Sequence, residues 1–255
     1  MTNSIPHVPA GSGKHPIFMV AVSANYLAAS ADFYRKLFGW QTMSVSHEVT
    51  ACIAKSGPTI SLRANTPAGF QGAVPYMRVD SIDEKLNDVV AAGGAIECAK
   101  WKVPAVGQLA RFTDPSNTIY GLTDAMSPST VPLVPIPFAD NPRPPDGTIC
   151  SIEMYAANGA DAAAFFGKYF GWGCAETIPG YMAFDPGAGV GGVFQSHTPT
   201  LAGLAYVYVA DVGATLTEID AVDGERVGNA LSMPGMATFG YFKDPSGTTM
   251  GLIGP

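Results

Sequence analysis

One pattern occurs twice in this chain. The segment Phe33-Tyr-Arg-Lys-Leu-Phe-Gly-Trp40 returns as Phe165-Phe-Gly-Lys-Tyr-Phe-Gly-Trp172, an offset of 132 residues. The run Phe112-Thr-Asp-Pro-Ser-Asn-Thr-Ile-Tyr-Gly-Leu122 returns as Phe242-Lys-Asp-Pro-Ser-Gly-Thr-Thr-Met-Gly-Leu252, an offset of 130. Two matches in one order at nearly one spacing mark a tandem duplication, and each half is expected to fold like the other. The 255 residues are enough for two such domains, 14–125 and 148–255. Between them, 126–147 holds seven prolines, which remove backbone donors and favour an extended, semi-rigid connector.

Within each half the pattern divides again. Ile17–Ser23 is an apolar strand, and Ala28–Phe38 a helix with an aromatic face that ends at Gly39-Trp40. Strand-like runs follow near Thr42–Ala54 and Thr59–Ala64. A second strand, Val74–Val79, leads to a helix at Ile82–Ala92 closed by Gly93-Gly94, a left-handed stop. Short strands are expected at Ala95–Cys98 and Leu109–Phe112. Asp114-Pro-Ser-Asn then suits a type I turn with a left-handed exit into a last strand reaching Leu122. The second half repeats the order, with strands at Ile149–Ala156 and Leu204–Val209. The expectation is an α+β chain of four strand–helix–three-strand modules.

Composition narrows the function classes. A net charge of −7 with only 14 scattered Lys and Arg argues against nucleic acid, which needs a clustered basic face. Cys52, Cys98, Cys150 and Cys174 form no CxxC pair and are too dispersed for a disulfide framework. The leader, Met1–Lys14, lacks an apolar signal core, and no apolar run is long enough to span a bilayer. These features point to a soluble, cytoplasmic protein with no membrane partner, a monomer or a homodimer.

A helix ending in an FY–LFGW-like stretch, followed about eighty residues later by a DPxGN-like turn and a strand, resembles the vicinal oxygen chelate superfamily (glyoxalases, bleomycin-resistance proteins and extradiol dioxygenases). The resemblance covers residues 16–125 and 148–255. It implies four βαβββ modules forming two glyoxalase-like domains with cupped mixed sheets, as in tandem-duplicated relatives of the hydroxylase or polyketide-tailoring type. It also implies a substrate in the cup and, in most members, a divalent metal.

In metal-binding members a His or Gln stands in a module's first strand and a Glu in its last. Those positions carry Met19 (or Phe18), Val74, Ser151 and Leu204, and Gly121 and Gly251. None is a competent ligand, whereas a catalytic divalent ion wants about three imidazole or carboxylate donors. The histidines offer no substitute: His7 and His15 lie in the polar leader, His197 in a loop-like stretch, and His47 beside Glu48 in a strand hairpin, where neighbours point to opposite faces. No metal and no cofactor are expected. The Pro186–Gly192 run, PGAGVGG, lies between short strands and reads as a hairpin loop rather than a nucleotide fingerprint.

The lost ligand positions mark the inward face of each first strand, and alternation then assigns the lining. Met19, Ala21 and Ser23; Val74, Tyr76 and Arg78; Ser151, Glu153 and Tyr155; and Leu204, Tyr206 and Tyr208 should face the cups. Met77, Val79, Ile152, Met154, Val207 and Val209 should pack against helices. Glu153 among tyrosines is the candidate general base, with Tyr155 its catalytic neighbour and tyrosine hydroxyls available to a developing enolate. Ser151, Tyr206, Tyr208, Tyr76, Arg78 and Met19 are candidate substrate contacts. The plainer alternative keeps Glu153 and Arg78 as structural partners and Trp101, Tyr181 and Phe194 as core.

The function expected on this basis is metal-independent acid/base chemistry (isomerisation, cyclisation or a hydroxylation-related step) on a bulky apolar, aromatic or polyketide-like small molecule. A binding or sequestration protein without turnover is the alternative. A metal-dependent dioxygenase or glyoxalase stands third.

Overall fold

The Phe-Gly-Trp stretches close two of the four helices in the same way. Helix α1 (Leu27–Phe38) ends at Gly39, whose φ of 67° is left-handed and whose N–H donates to Arg35 O. Helix α3 (Gly159–Phe170) ends at Gly171 with φ 68°. Only glycine takes this conformation without a Cβ penalty, so the motif stops the helix and turns the chain into the next strand. Helix α2 (Ile82–Ala91) starts at Ser81, whose side chain accepts from Glu84 N–H, and α4 (Val212–Ala221) at Asp211, which accepts from Ala214 N–H. In the computed structural model, residues 8–66, 72–103, 106–125, 132–137, 141–196 and 203–255 are described.

Seventeen strands accompany the helices among the described residues. The first module has β1 (Ile17–Ser23), β2 (Gln41–Ser46), β3 (Val49–Ile53) and β4 (Thr59–Arg63), and the second β5 (Ala73–Arg78), β6 (Ala95–Val103), β7 (Gly107–Thr113) and β8 (Ile119–Thr123). The third has β9 (Ile149–Ala156), β10 (Gly173–Ile178), β11 (Tyr181–Asp185) and β12 (Gly192–Ser196). The fourth has β13 (Gly203–Tyr208), β14 (Glu225–Arg226), β15 (Leu231–Met233), β16 (Ala237–Lys243) and β17 (Thr249–Gly254). They form an eight-stranded mixed sheet from the first half and a nine-stranded one from the second. In the first module β1 runs parallel to β4, which pairs antiparallel with β3, and β3 with β2. In the second, β5 runs parallel to β8, which pairs antiparallel with β7, and β7 with β6. The expected α+β architecture of repeated modules is what the chain adopts.

Several local expectations need adjusting. The β6–β7 hairpin runs to Val103 and starts at Gly107, longer than the two short strands expected, because two register shifts near Cys98 let pairing resume. His47 and Glu48 form the turn of the β2–β3 hairpin rather than strand positions, with the His47 side chain 89% exposed. Asp114 and Asp244 each cap their turn, the Oδ1 of each accepting two backbone N–H groups at 2.9 Å, and Asn117 (φ 66°) and Gly247 (φ 80°) supply the left-handed exit. The Pro186–Gly191 stretch does join the antiparallel β11 and β12.

Packing divides the chain differently from its sequence halves. One compact unit gathers residues 1–18, 74–133 and 153–203; the other gathers 19–73, 134–152 and 204–255. Each therefore joins a module from one half to a module from the other. In the first unit, Phe165, Phe166 and Phe170 of α3 pack on Phe112 of β7, Tyr120 of β8, Trp172 and Phe194. In the second, Phe33 and Phe38 of α1 pack on Phe242 of β16, and Tyr34 stacks on Trp40. Each fully buried aromatic ring contributes about 1.5–3 kcal/mol. The repeated tryptophans tie these joints: Trp172 Nε1 donates to His15 O (2.9 Å), just before β1, and Trp40 Nε1 to Gly147 O (2.7 Å), just before β9.

Two segments that composition marks as polar or linker-like are docked. His15 is half-buried in the first unit, its Nδ1–H donating to Arg78 O at 3.2 Å and its ring edge-on to Phe170. Burial, partly opposed by that hydrogen bond, lowers its pKa from the ordinary 6.5. In the Pro-rich connector, Val134 is 5% exposed and packs with Leu204, Tyr206 and Tyr208 in the second unit. No helix among the described residues is long and apolar enough to cross a membrane.

Candidate functional site

The fourth module has one face against α4 and one turned away from it. In the fourth module a Cβ at Gly240 would meet Val212 and Leu216 of α4, so Gly240 and Phe242 mark the helix side. Alternation then puts Phe239 and Tyr241 of β16 on the other face. Their rungs continue across the sheet: Tyr206, Gly251 and Tyr241 are paired in a row, with Phe239 opposite Ile253 on the neighbouring rung. The second module has the same row, Tyr76–Gly121–Arg111, followed by Arg78–Thr123–Leu109.

At the centre of both rows a tyrosine ring lies on a glycine. A Cβ built at Gly121 would stand 2.2 Å from Tyr76 Cδ1, and one at Gly251 would stand 2.3 Å from Tyr206 Cδ1. Real Cβ atoms never approach a ring carbon so closely, so these strands pair as they do only because residues 121 and 251 lack side chains. The surroundings of the two rings differ. Tyr206 is 4% exposed, its hydroxyl 3.3 Å from that of Tyr241, with Phe239 edge-on to its ring. Tyr208, Leu204, Cys150 and Val134 complete that cluster. Burial pushes the Cys150 thiol well above its ordinary range.

In the other row Arg111 takes the place that Tyr241 holds. Its Nε and Nη2 donate to both carboxylate oxygens of Glu97, and its guanidinium lies 5.3 Å from the Trp101 ring centroid. Burial works against the Arg111 charge, but Glu97 and the neighbouring Tyr76 more than offset it, and the group stays protonated.

The sequence-derived candidates fall as follows. Tyr206 and Tyr208 share one buried cluster, and Ser151 is 8% exposed in the same unit. Glu153 and Tyr155 are half-buried on β9 and belong to the other unit, where the Tyr155 carbonyl accepts from Thr118 Oγ1 at 3.4 Å. Tyr76 is fully buried, and Arg78 forms an ion pair with Asp80. Met19 is buried on β1 opposite Thr59. Phe194 is core, stacked with Phe166 and Trp172; Tyr181 is half-buried with its hydroxyl accepting from Gln195 Nε2; Trp101 carries Arg111. His197 lies outside the described residues. Sequence reasoning missed Arg111, Tyr241 and Phe239. The signal available was the offset of 130 that matches Arg111 to Tyr241, but their face follows only from pairing with Gly121 and Gly251.

Over 89% of this chain, a curated relative from Mycobacterium bovis named "Putative glyoxylase CFP32" is 25% identical, with 90% of that protein covered, and the Mycobacterium tuberculosis protein of that name matches equally. The Mn(II)-bound glyoxalase from Novosphingobium aromaticivorans superposes with a TM-score of 0.68 at 14% identity, covering 96% of this chain and 83% of that one. The 2,3-dioxygenase LapB from Pseudomonas sp. KL28 superposes with a TM-score of 0.68 at 13% identity, covering 96% and 93%. The chain has the vicinal oxygen chelate fold. No family profile matches it.

That fold implies a divalent metal in the cup, and the residues present do not fit one. The positions that the sequence resemblance assigns to the carboxylate ligand are Gly121 and Gly251, where any side chain would meet the Tyr76 and Tyr206 rings. The first-strand positions are Met19, Val74, Ser151 and Leu204. Among the described residues no three His, Cys, Asp or Glu side chains converge elsewhere.

Proposed function

We propose that this vicinal oxygen chelate protein is a metal-independent enzyme that applies acid/base chemistry to a bulky apolar, aromatic or polyketide-like small molecule. The observation that carries this reading is the seating of Tyr76 and Tyr206 on Gly121 and Gly251, which leaves no room for a carboxylate at the two positions that the resemblance assigns to a metal ligand. The Tyr206, Phe239 and Tyr241 rings gather on one face of the fourth module, which suits an aromatic ligand, and paired tyrosine hydroxyls are donors suited to a developing enolate or phenolate oxygen. Glu153 is the proposed base, with Tyr155 at the same parity of β9; both belong to the unit that does not hold the Tyr206 cluster, so the base is proposed apart from that cluster. Similarity to a protein named a glyoxylase supports turnover over passive binding. Four free cysteines suit a cytoplasmic, reducing setting.

The test is elemental analysis of protein purified without chelator, paired with turnover measured before and after dialysis against EDTA. Substoichiometric metal and EDTA-resistant turnover are expected. One equivalent of Mn, Fe, Ni or Zn that EDTA removes together with activity would overturn metal independence. Stoichiometric ligand binding with no turnover would instead leave a sequestration protein.

A further inference from the structure

The face that carries Tyr206 is covered by the chain's own connector. Val134 is 5% exposed and packs with Leu204, Tyr206, Tyr208 and Ala237, whereas Leu133 just before it is 54% exposed. Connecting segments ordinarily run over the surface in water, so a buried valine here marks a point at which the connector is docked. Pro132, Pro135 and Pro137 restrict the backbone and carry no amide donor. The segment therefore loses little backbone entropy on docking and is held more by apolar contact than by backbone hydrogen bonds.

A cavity of about 310 Å³ adjoins this contact, and its lining includes Pro137 of the connector and Met233, Met236 and Ala237 of the β15–β16 hairpin. Met236 and Ala237 also belong to the cluster around Val134, so the cavity and the covered face meet at those two residues. An aromatic ring buries more apolar surface than a valine does, so a two-ring ligand gains more on this face than the connector loses by leaving it. We propose that residues 134–137 form a displaceable strap over the fourth-module face. Val134 holds the place of a ligand ring beside Tyr206 and Tyr208, and an apolar aromatic molecule entering from the cavity pushes the strap aside. The strap adds regulation to that face; it rests on the aromatic-ligand part of the function proposed above and not on Glu153.

The probe is 2-naphthol, uncharged at neutral pH, titrated calorimetrically into the full-length protein. Val134→Gly removes the side chain that holds the strap and is expected to bind 2-naphthol about tenfold more tightly, the factor by which a closed form ten times as populated as the open one masks a site. Leu133→Gly loosens the backbone in the same way but removes an exposed side chain, and it should bind like the native protein. Should Val134→Gly fold poorly, hydrogen exchange of the native protein decides: saturating 2-naphthol should speed exchange at the Val134 and Ile136 amides. Binding by Val134→Gly no tighter than native, an equal gain in Leu133→Gly, or amides at Val134 and Ile136 that slow or stay unchanged each overturns the strap. Such a result with 2-naphthol still bound removes the strap alone and leaves the aromatic-ligand reading standing. No binding by either the native or the folded Val134→Gly protein removes both.

Discussion

Tyr206 lies across Gly251 so closely that a methyl group on that glycine would stand 2.3 Å from Tyr206 Cδ1 and 2.4 Å from Cε1. The ring is 4% exposed and held by Phe239, Tyr241 and Leu204, so it has little room to yield. Overpacking of this kind costs about 1–3 kcal/mol. Gly251→Ala should therefore lower the urea midpoint, and by less in a Tyr206→Ala background, where the ring is gone. Equal losses in both backgrounds would show that the ring is not what excludes a side chain there.

A second prediction concerns pH. Asp244 is 3% exposed, and burial raises its carboxyl from the ordinary 3.8 despite the N–H groups of Thr248 and Ser246 and the Tyr34 hydroxyl that favour the charged form. Between 3.8 and the raised native value the folded protein binds more protons than the unfolded chain. Its contribution to stability is thus fully present below 3.8 and is lost as pH rises through the native value. Asp244→Asn keeps an oxygen for the two backbone donors and removes the titration. The stability of this variant relative to the native protein should rise between about pH 4 and pH 7, measured as urea midpoints. A difference that stays flat or falls with pH would contradict the buried carboxylate account.

Much of the fold was readable because the repeated motifs act locally. Gly39 and Gly171 must be left-handed to end their helices, and Asp114 and Asp244 must cap their turns, whatever surrounds them. Partner choice was not readable: the apolar face of α3 specifies burial, but nothing in Phe165 or Phe166 names Phe112 and Tyr120, forty-five or more residues earlier, as what they meet. The same limit applies to the connector, where proline content predicts extension but not that Val134 packs beside Tyr206 and Tyr208. For the candidate site, alternation along β5 and β13 picked out Tyr76 and Tyr206, which the structure sets on matched rungs beside Gly121 and Gly251. Arg111 and Tyr241 needed the cross-strand register, which sequence does not record.

The enzyme reading turns on Glu153. It is half-buried on β9, two residues beyond Ser151, and its neighbour at the same parity is Tyr155. A carboxylate that takes a proton from bound substrate contributes about 10²-fold or more to turnover. Glu153→Gln preserves size and most hydrogen-bonding geometry, so in a catalytic role it should leave the melting temperature and ligand affinity near native while turnover falls by about that factor. A structural carboxylate behaves differently. Its partner would lose a charged acceptor, and melting temperature, affinity and turnover would decline together. A protein that only binds has no turnover to lose, and its affinity should respond to Tyr206→Ala or Tyr208→Ala and not to Glu153→Gln. Native turnover in a stable, ligand-binding Glu153→Gln protein would remove this base from the mechanism and move the search to the tyrosine hydroxyls.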